Sequence, residues 1–139
     1  MHITFIEDDD LHAEIVTRWL KSVDTYSVER FKSPSEFMAS ANEGTLQVPD
    51  LVFVDYNLGE MTGDEFIREM RGMPGDVSGA GVVLFSGLDE FSFMEILEQI
   101  DVDGFLMKDD LSREKLFMVI KVADRCARAV RVAAKVEAV

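Results

Sequence analysis

The stretch Asp50-Leu51-Val52-Phe53-Val54-Asp55-Tyr56-Asn57 constrains this chain more than any other. Four apolar residues run straight into one carboxylate, and Gly59, Thr62 and Gly63 follow at once. A short apolar run bounded by polar and turn residues reads as a strand buried on both faces, the environment of a parallel sheet covered by helices. Asp55 then stands at the strand's C-terminal end, where open α/β sheets place their ligand crevice. Taken alone, Asp55 has a plainer reading, as a strand-ending residue that caps the next turn. The rest of the chain decides between the two.

Four more segments read as strands. His2 to Ile6 is a buried strand ending in Glu7-Asp8-Asp9-Asp10. Asp10 can cap a helix in which Leu11, Ile15, Trp19 and Leu20 repeat at helical spacing. Tyr26 to Phe31 alternates like an edge strand. Ser33-Pro34-Ser35-Glu36 is a capping box with proline at the first helical position, and Phe37, Met38 and Ala41 supply that helix's inner face. Thr62-Gly63-Asp64-Glu65 opens another helix, with Phe66, Ile67 and Met70 inward. Residues 72–81 form a glycine-rich loop. Its Gly79-Ala80-Gly81 precedes a strand and not a helix, so it does not have the order a phosphate-cradling loop requires. Val82 to Phe85 is a fourth buried strand ending in Ser86-Gly87, and residues 91–100 are helical. Gly104 to Met107 is a fifth strand ending in Lys108. Ser112 can cap a last helix that runs to about Glu137.

Five strands alternating with five helices imply an α/β fold, a doubly wound parallel sheet built from right-handed crossovers. Laid parallel, the strands bring Glu7, Asp8, Asp55, Ser86 and Lys108 to one edge of the sheet. Three carboxylates in one pocket repel each other unless a cation compensates them. Mg2+ suits the set, because it takes hard oxygen ligands and commonly one or two carboxylates with a phosphate oxygen. Lys108 adds an ammonium and Ser86 a hydroxyl. A metal, an ammonium and a hydroxyl around one carboxylate match a phosphoryl group in transit, whose charge spreads over its equatorial oxygens. Asp55 is then the nucleophile, forming an aspartyl phosphate.

The pattern Ile6-Glu7-Asp8-Asp9, Leu51 to Asp55 with Gly63 eight positions on, Phe85-Ser86-Gly87 and Gly104-Phe105 to Lys108 resembles the receiver domain of bacterial two-component response regulators, the CheY-like superfamily. The resemblance covers roughly residues 2–123. It implies a flavodoxin-like sheet of order 2-1-3-4-5, with residues 1–123 as the receiver and 124–139 as an extension of the last helix. It implies that Asp55 accepts a phosphoryl group from a histidine kinase or phosphotransfer protein. Glu7 and Asp8 hold Mg2+ with Asp55 and the backbone carbonyl of Asn57, while Ser86 and Lys108 contact the phosphoryl group. Phe105 occupies the aromatic switch position, coupled to Ser86. Output passes through the face made by the fourth helix, fifth strand and fifth helix.

Three positions depart from the family pattern. Gly59 stands where proline is frequent, which loosens the loop after Asp55. Asp109 replaces the usual proline after Lys108, and with it the usual reason for a cis peptide, although a Lys-Asp pair occurs in some receivers. Phe105 lacks a tyrosine hydroxyl, so any switch works through packing. No catalytic group is missing, so a competent phosphoacceptor is expected over a pseudo-receiver that binds partners without phosphorylation. Aspartyl phosphohydrolases usually carry a second Asp two residues after the nucleophile; that position is Asn57, so turnover is not expected.

Composition narrows the partners. The chain of 139 residues has a net charge of −13, which argues against general nucleic-acid or anionic-membrane binding. The charge is lopsided: residues 113–139 hold seven bases and three acids, the first 112 seven bases and 24 acids. The apolar runs are too short to span a bilayer and no leader opens the chain, so it reads as a cytoplasmic, stand-alone regulator that signals by protein contact. Cys126 is a lone, inert thiol. Asp9 reads as a capping or solvated residue, and His2 and His12 as surface residues. The cluster of Phe91, Phe93, Met94, Ile96, Leu97 and Ile100 exceeds what one helix needs to cover a sheet; core packing accounts for most of it, and a partner surface is the other reading of the rest. In the last helix Leu116, Ile120, Ala123, Ala127, Val130 and Ala134 follow 4-3-4-3-4 spacing beside a basic stripe. That seam gives a possible homodimer through the last helix, or a solvated extension.

Overall fold

A computed structural model describes residues 1–137 and contains one five-stranded parallel sheet of order β2-β1-β3-β4-β5. The strands are β1 (His2–Ile6), β2 (Ser27–Phe31), β3 (Leu51–Asp55), β4 (Gly81–Ser86) and β5 (Gly104–Met107). Between and after them come α1 (Asp10–Lys21), α2 (Pro34–Glu43), α3 (Gly63–Arg71), α4 (Glu90–Gln99) and α5 (Arg113–Glu137). The doubly wound architecture and strand order are therefore as expected from the sequence.

Every residue of β1, β3 and β4 is buried. Alternation along each strand divides the core into two layers. Val52, Val54, Val82 and Leu84 face Phe37, Phe66, Met70 and Phe93 from α2, α3 and α4. Leu51, Phe53, Val83 and Phe85 face Val16, Leu20, Leu116 and Ile120 from α1 and α5. Each fully buried Phe or Leu side chain contributes roughly 1.5–3 kcal/mol relative to exposure, so these layers fix the strand ends that carry the site.

Two local readings need correction. The cap of α1 is Asp9, whose carboxylate accepts from the backbone N–H groups of Leu11 and His12 at 2.9 and 3.1 Å. Leu11 points outward, 65% exposed, and Ala13, Val16 and Leu20 lie inside against the sheet. Two stripes have helical spacing in α1, and the small Ala13 belongs to the one against the sheet. The capping residues Ser33, Thr62 and Ser112 stand where their sequence contexts put them.

In α5 the seam has two fates. Leu116, Ile120, Ala123 and Ala127 pack on this chain's own sheet, whereas Val130 is 64% exposed. The helix runs unbroken past residue 123, and Arg131 donates to the Gly79 carbonyl at 3.2 Å. Residues 138–139 of the expected extension lie outside the described residues. Among the described residues, no helix is long and apolar enough to cross a membrane. Phe93 on α4 and Ile100 just after it are buried, while Phe91 and Met94 are the apolar surplus, 76% and 58% exposed.

Candidate functional site

Strand register assembles the site. Ile6 pairs with Val54 and Asp55 with Phe85, so Glu7, one residue past Ile6, lies level with Asp55. Ser86 pairs with Met107, which puts Lys108 one residue beyond Ser86 on the neighbouring strand. Four strand ends thus deliver Glu7, Asp8, Asp55, Ser86 and Lys108 to the C-terminal edge, where β1 and β3 diverge toward helices on opposite faces.

The residues meet as charges. Lys108 Nζ lies 3.0 Å from Asp55 Oδ2 and 3.6 Å from Glu7 Oε2. Oxygens of Glu7, Asp8 and Asp55 all fall within 4.8 Å of one another. Glu7 and Asp55 are buried and Asp8 is exposed at the mouth. Burial pushes the Glu7 carboxyl up to about 8, and the adjacent Asp55 carboxylate adds to the rise against the opposing charge of Lys108. Burial acts to lower the Lys108 ammonium, but the hydrogen bond and charge of Asp55, with Glu7 behind it, outweigh that and hold it above its usual value. The ammonium also sits 5.2 Å from the centre of the Phe85 ring, a cation–π contact.

The donor set fits a hard divalent cation. Glu7 Oε2 is buried and makes no hydrogen bond, with the Lys108 ammonium 3.6 Å away, so it is an acceptor that a divalent cation would satisfy. Glu7 Oε1 is held by the backbone N–H of Asp9 at 3.1 Å, and Asp55 Oδ1 by the N–H of Asn57 at 3.2 Å. Among the described residues no hydrogen bond engages the Asn57 carbonyl. The Ser86 hydroxyl oxygen accepts from Leu88 N–H at 2.9 Å, so its own proton remains available to a ligand oxygen.

The loop after Asp55 explains two glycines. Gly59 has φ 79°, a left-handed conformation that proline's fixed φ forbids. A loop of this shape therefore has no place for proline at this position. Gly63 lies so close to the site that a Cβ would stand 2.7 Å from the Asp55 carbonyl oxygen and 3.0 Å from Tyr56 Cα. Gly63→Ala is expected to cost roughly 1–3 kcal/mol by overpacking against backbone, read as a lowered urea midpoint with unchanged slope.

Phe105 is half exposed, and its ring lies 5.2 Å from that of Phe93 on α4. The Lys108–Asp109 peptide is trans. His12 lies against Phe85 at 6.3 Å between ring centres, and it is only half exposed. His2 is buried, with Nδ1 2.8 Å from Ser27 Oγ, so neither histidine is a plain surface residue. Sequence reading missed two participants: Phe85 beneath Lys108, and Arg30. Arg30 lies 23 residues from its partner Glu7, so no local pattern marks the contact.

A doubly wound α/β fold with an acidic cluster and a lysine at its switch point puts those groups where this class of fold has its ligand crevice. Residues 3–121 match the model of the response regulator receiver domain. The chain belongs to the response regulator receiver family. Its fold is similar to a receiver domain protein from Methanospirillum hungatei, at 18% identity over 92% of this chain and 96% of that one, with a TM-score of 0.75. It is also similar to the N-terminal domain of a three-domain response regulator/sensory box/GGDEF protein from Carboxydothermus hydrogenoformans, at 22% identity over 93% and 98%, with a TM-score of 0.76. The Mn2+-bound response regulator Rcp1 is 21% identical over 85% and 88%, with a TM-score of 0.69. Among curated proteins no match was found.

Proposed function

We propose that this protein is a cytoplasmic response regulator that accepts a phosphoryl group on Asp55 from a histidine kinase or histidine phosphotransfer protein, and signals by protein contact. The observation that carries the reading is the Lys108 ammonium 3.0 Å from a buried Asp55 oxygen, beside the Glu7 oxygen that makes no hydrogen bond. Glu7, Asp8, Asp55 and the Asn57 carbonyl are the residues that would hold Mg2+. The ion supplies positive charge against the phosphoryl oxygens. The Mn2+ ion named for Rcp1 is consistent with such a site in a related fold.

An Asp55 oxygen attacks phosphorus as the phosphorus–nitrogen bond of a phosphohistidine breaks. The imidazole nitrogen leaves with the bonding pair and regains a proton, or acetate leaves when acetyl phosphate is the donor. Lys108 then pairs with a phosphoryl oxygen in place of Asp55 Oδ2, and Ser86 donates its hydroxyl proton to another. Withdrawal of Ser86 toward the phosphoryl group opens space that Phe105 can follow by repacking against Phe93. That movement would alter the face of α4, β5 and α5, where Phe91, Met94, Phe105, Met118 and Val122 are exposed. This is the surface proposed to meet the downstream protein.

The α5 homodimer remains a proposal of narrower scope, because the first four seam residues are covered by the chain's own sheet. Of the seam, Val130 and Ala134 are exposed to a second copy, with Val132 and Val136 beside them. Asn57 in place of a second aspartate leaves no acid–base group for repeated turnover, and its side-chain oxygen instead accepts from Gly59 N–H at 3.4 Å.

Incubation with acetyl phosphate and Mg2+ is expected to add one phosphoryl group, detected by intact mass, and Asp55→Asn is expected to abolish the addition. Equal labelling of the variant, or none in the wild type, would overturn the assignment. Rapid multiple turnover would instead favour a hydrolase.

A further inference from the structure

The four consecutive acids Glu7 to Asp10 pose a problem that β2 resolves. Arg30 points from the edge strand across the top of α1 and donates twice to the backbone carbonyl of Glu7, from Nε at 2.9 Å and Nη2 at 2.7 Å. Nη2 also reaches Asp10 Oδ1 at 3.0 Å, and Lys32 Nζ lies 3.7 Å from Asp10 Oδ2. The side chain of Arg30 is only 25% exposed. Glu14, the nearest other acid on α1, is taken by Arg18 at 2.7 Å and does not compete for it.

The clamped carbonyl belongs to the Glu7–Asp8 peptide. Its orientation sets where the Glu7 side chain leaves β1 and where Asp8 points at the mouth. Among the described residues Asp8 has no hydrogen bond or ion pair of its own, so its backbone alone holds it in the cluster. Arg30 thus fixes the peptide between the two acids while drawing Asp10 outward, leaving Glu7 and Asp8 to face Asp55. A guanidinium does this where an ammonium cannot, because its planar fork delivers two donors to one oxygen while reaching a carboxylate. We propose that Arg30 is a positioning residue for cation binding, orienting Glu7 and Asp8 through the Glu7 carbonyl. The inference rests on the metal-dependent reading of the site given above.

The test is titration of the full chain with Mn2+, followed by the loss of free-ion paramagnetic resonance signal, with Mg2+ as competitor. Arg30→Ala is expected to weaken Mn2+ binding on the order of 10-fold, as for other groups that orient metal ligands. Arg30→Lys, which keeps the charge but not the double donation, is expected to weaken it nearly as much, and Asp10→Ala much less. Phosphorylation by acetyl phosphate should then need more Mg2+ yet reach the wild-type plateau rate. A purely structural role would lower the thermal midpoint and leave the dissociation constant of the folded protein unchanged. That result in Arg30→Lys, or in Arg30→Ala, overturns the inference. If the wild type itself binds no Mn2+, the metal reading fails first, whatever the variants do.

Discussion

Lys108→Met is expected to slow phosphorylation of Asp55 by about 10²–10³-fold, the usual cost of removing one preorganised donor to transition-state charge. Methionine keeps an unbranched stem against Phe85 while deleting the ammonium that lies 3.0 Å from Asp55 Oδ2. The same change should not weaken Mg2+. Lys108 pairs with both Asp55 and Glu7. Removing it leaves those buried carboxylates without a partner and sharpens their demand for another positive charge. The expected signature is therefore a split, with Mg2+ binding as tight as in the wild type or tighter, and phosphoryl transfer nearly lost. Stopped-flow rates with acetyl phosphate and a parallel Mg2+ titration separate the two. A wild-type rate in the variant would remove Lys108 from the mechanism, and loss of both properties would show that it serves mainly to keep the pocket folded.

That contrast also shows what the chain discloses by itself. The strands β1, β3 and β4 are legible because each is a short apolar run of β-branched and aromatic residues ending in a polar group. Burial on both faces leaves no alternation to misread. The convergence of Glu7, Asp8, Asp55, Ser86 and Lys108 is legible for the same reason, since parallel strands bring their C-terminal ends to one edge. Strand order was not in the periodicity and came with the family resemblance. Helix faces were harder. Leu11 fits a helical stripe as well as Ala13 does, and only packing against the sheet selects the Ala13, Val16 and Leu20 face. In α5 the apolar spacing of Leu116 to Ala127 describes contact with this chain's own sheet, and the same spacing cannot distinguish that from contact with a partner. Arg30 left no trace, because a side chain bonded to a carbonyl 23 residues away has no spacing rule. Gly59 was visible as a departure, but its φ of 79° supplies the physical reason proline is excluded.

Apparent Mg2+ affinity is expected to fall about tenfold for each pH unit below about 8, because the cation must displace the proton from Glu7. An ordinary glutamate, near 4.3, would leave the affinity flat across pH 6 to 8. The raised value makes that window steep, with about a 50-fold change between its ends. The sign for stability follows from the same shift. Glu7 holds its proton more tightly folded than unfolded, so the metal-free protein binds more protons in the native state between about 4.5 and 8. Its contribution to stability is fully present below the unfolded value and is lost as the pH rises through about 8. The lowered carboxyls of Asp9 and Asp10 work in the opposite direction: their stabilisation is present above the ordinary carboxylate range and disappears as pH falls below it. They therefore leave the window from 6 to 8 to Glu7. Saturating Mg2+ should abolish the decline toward pH 8, since a bound cation satisfies the ionised carboxylate that burial penalises. Glu7→Gln should flatten both curves, and calorimetry in buffers of different ionisation enthalpy should show proton release on Mg2+ binding at pH 7 only in the wild type. Mg2+ affinity that stays level from pH 6 to 8 would mean that Glu7 is already ionised, and that Lys108, not a proton, balances it in the metal-free site.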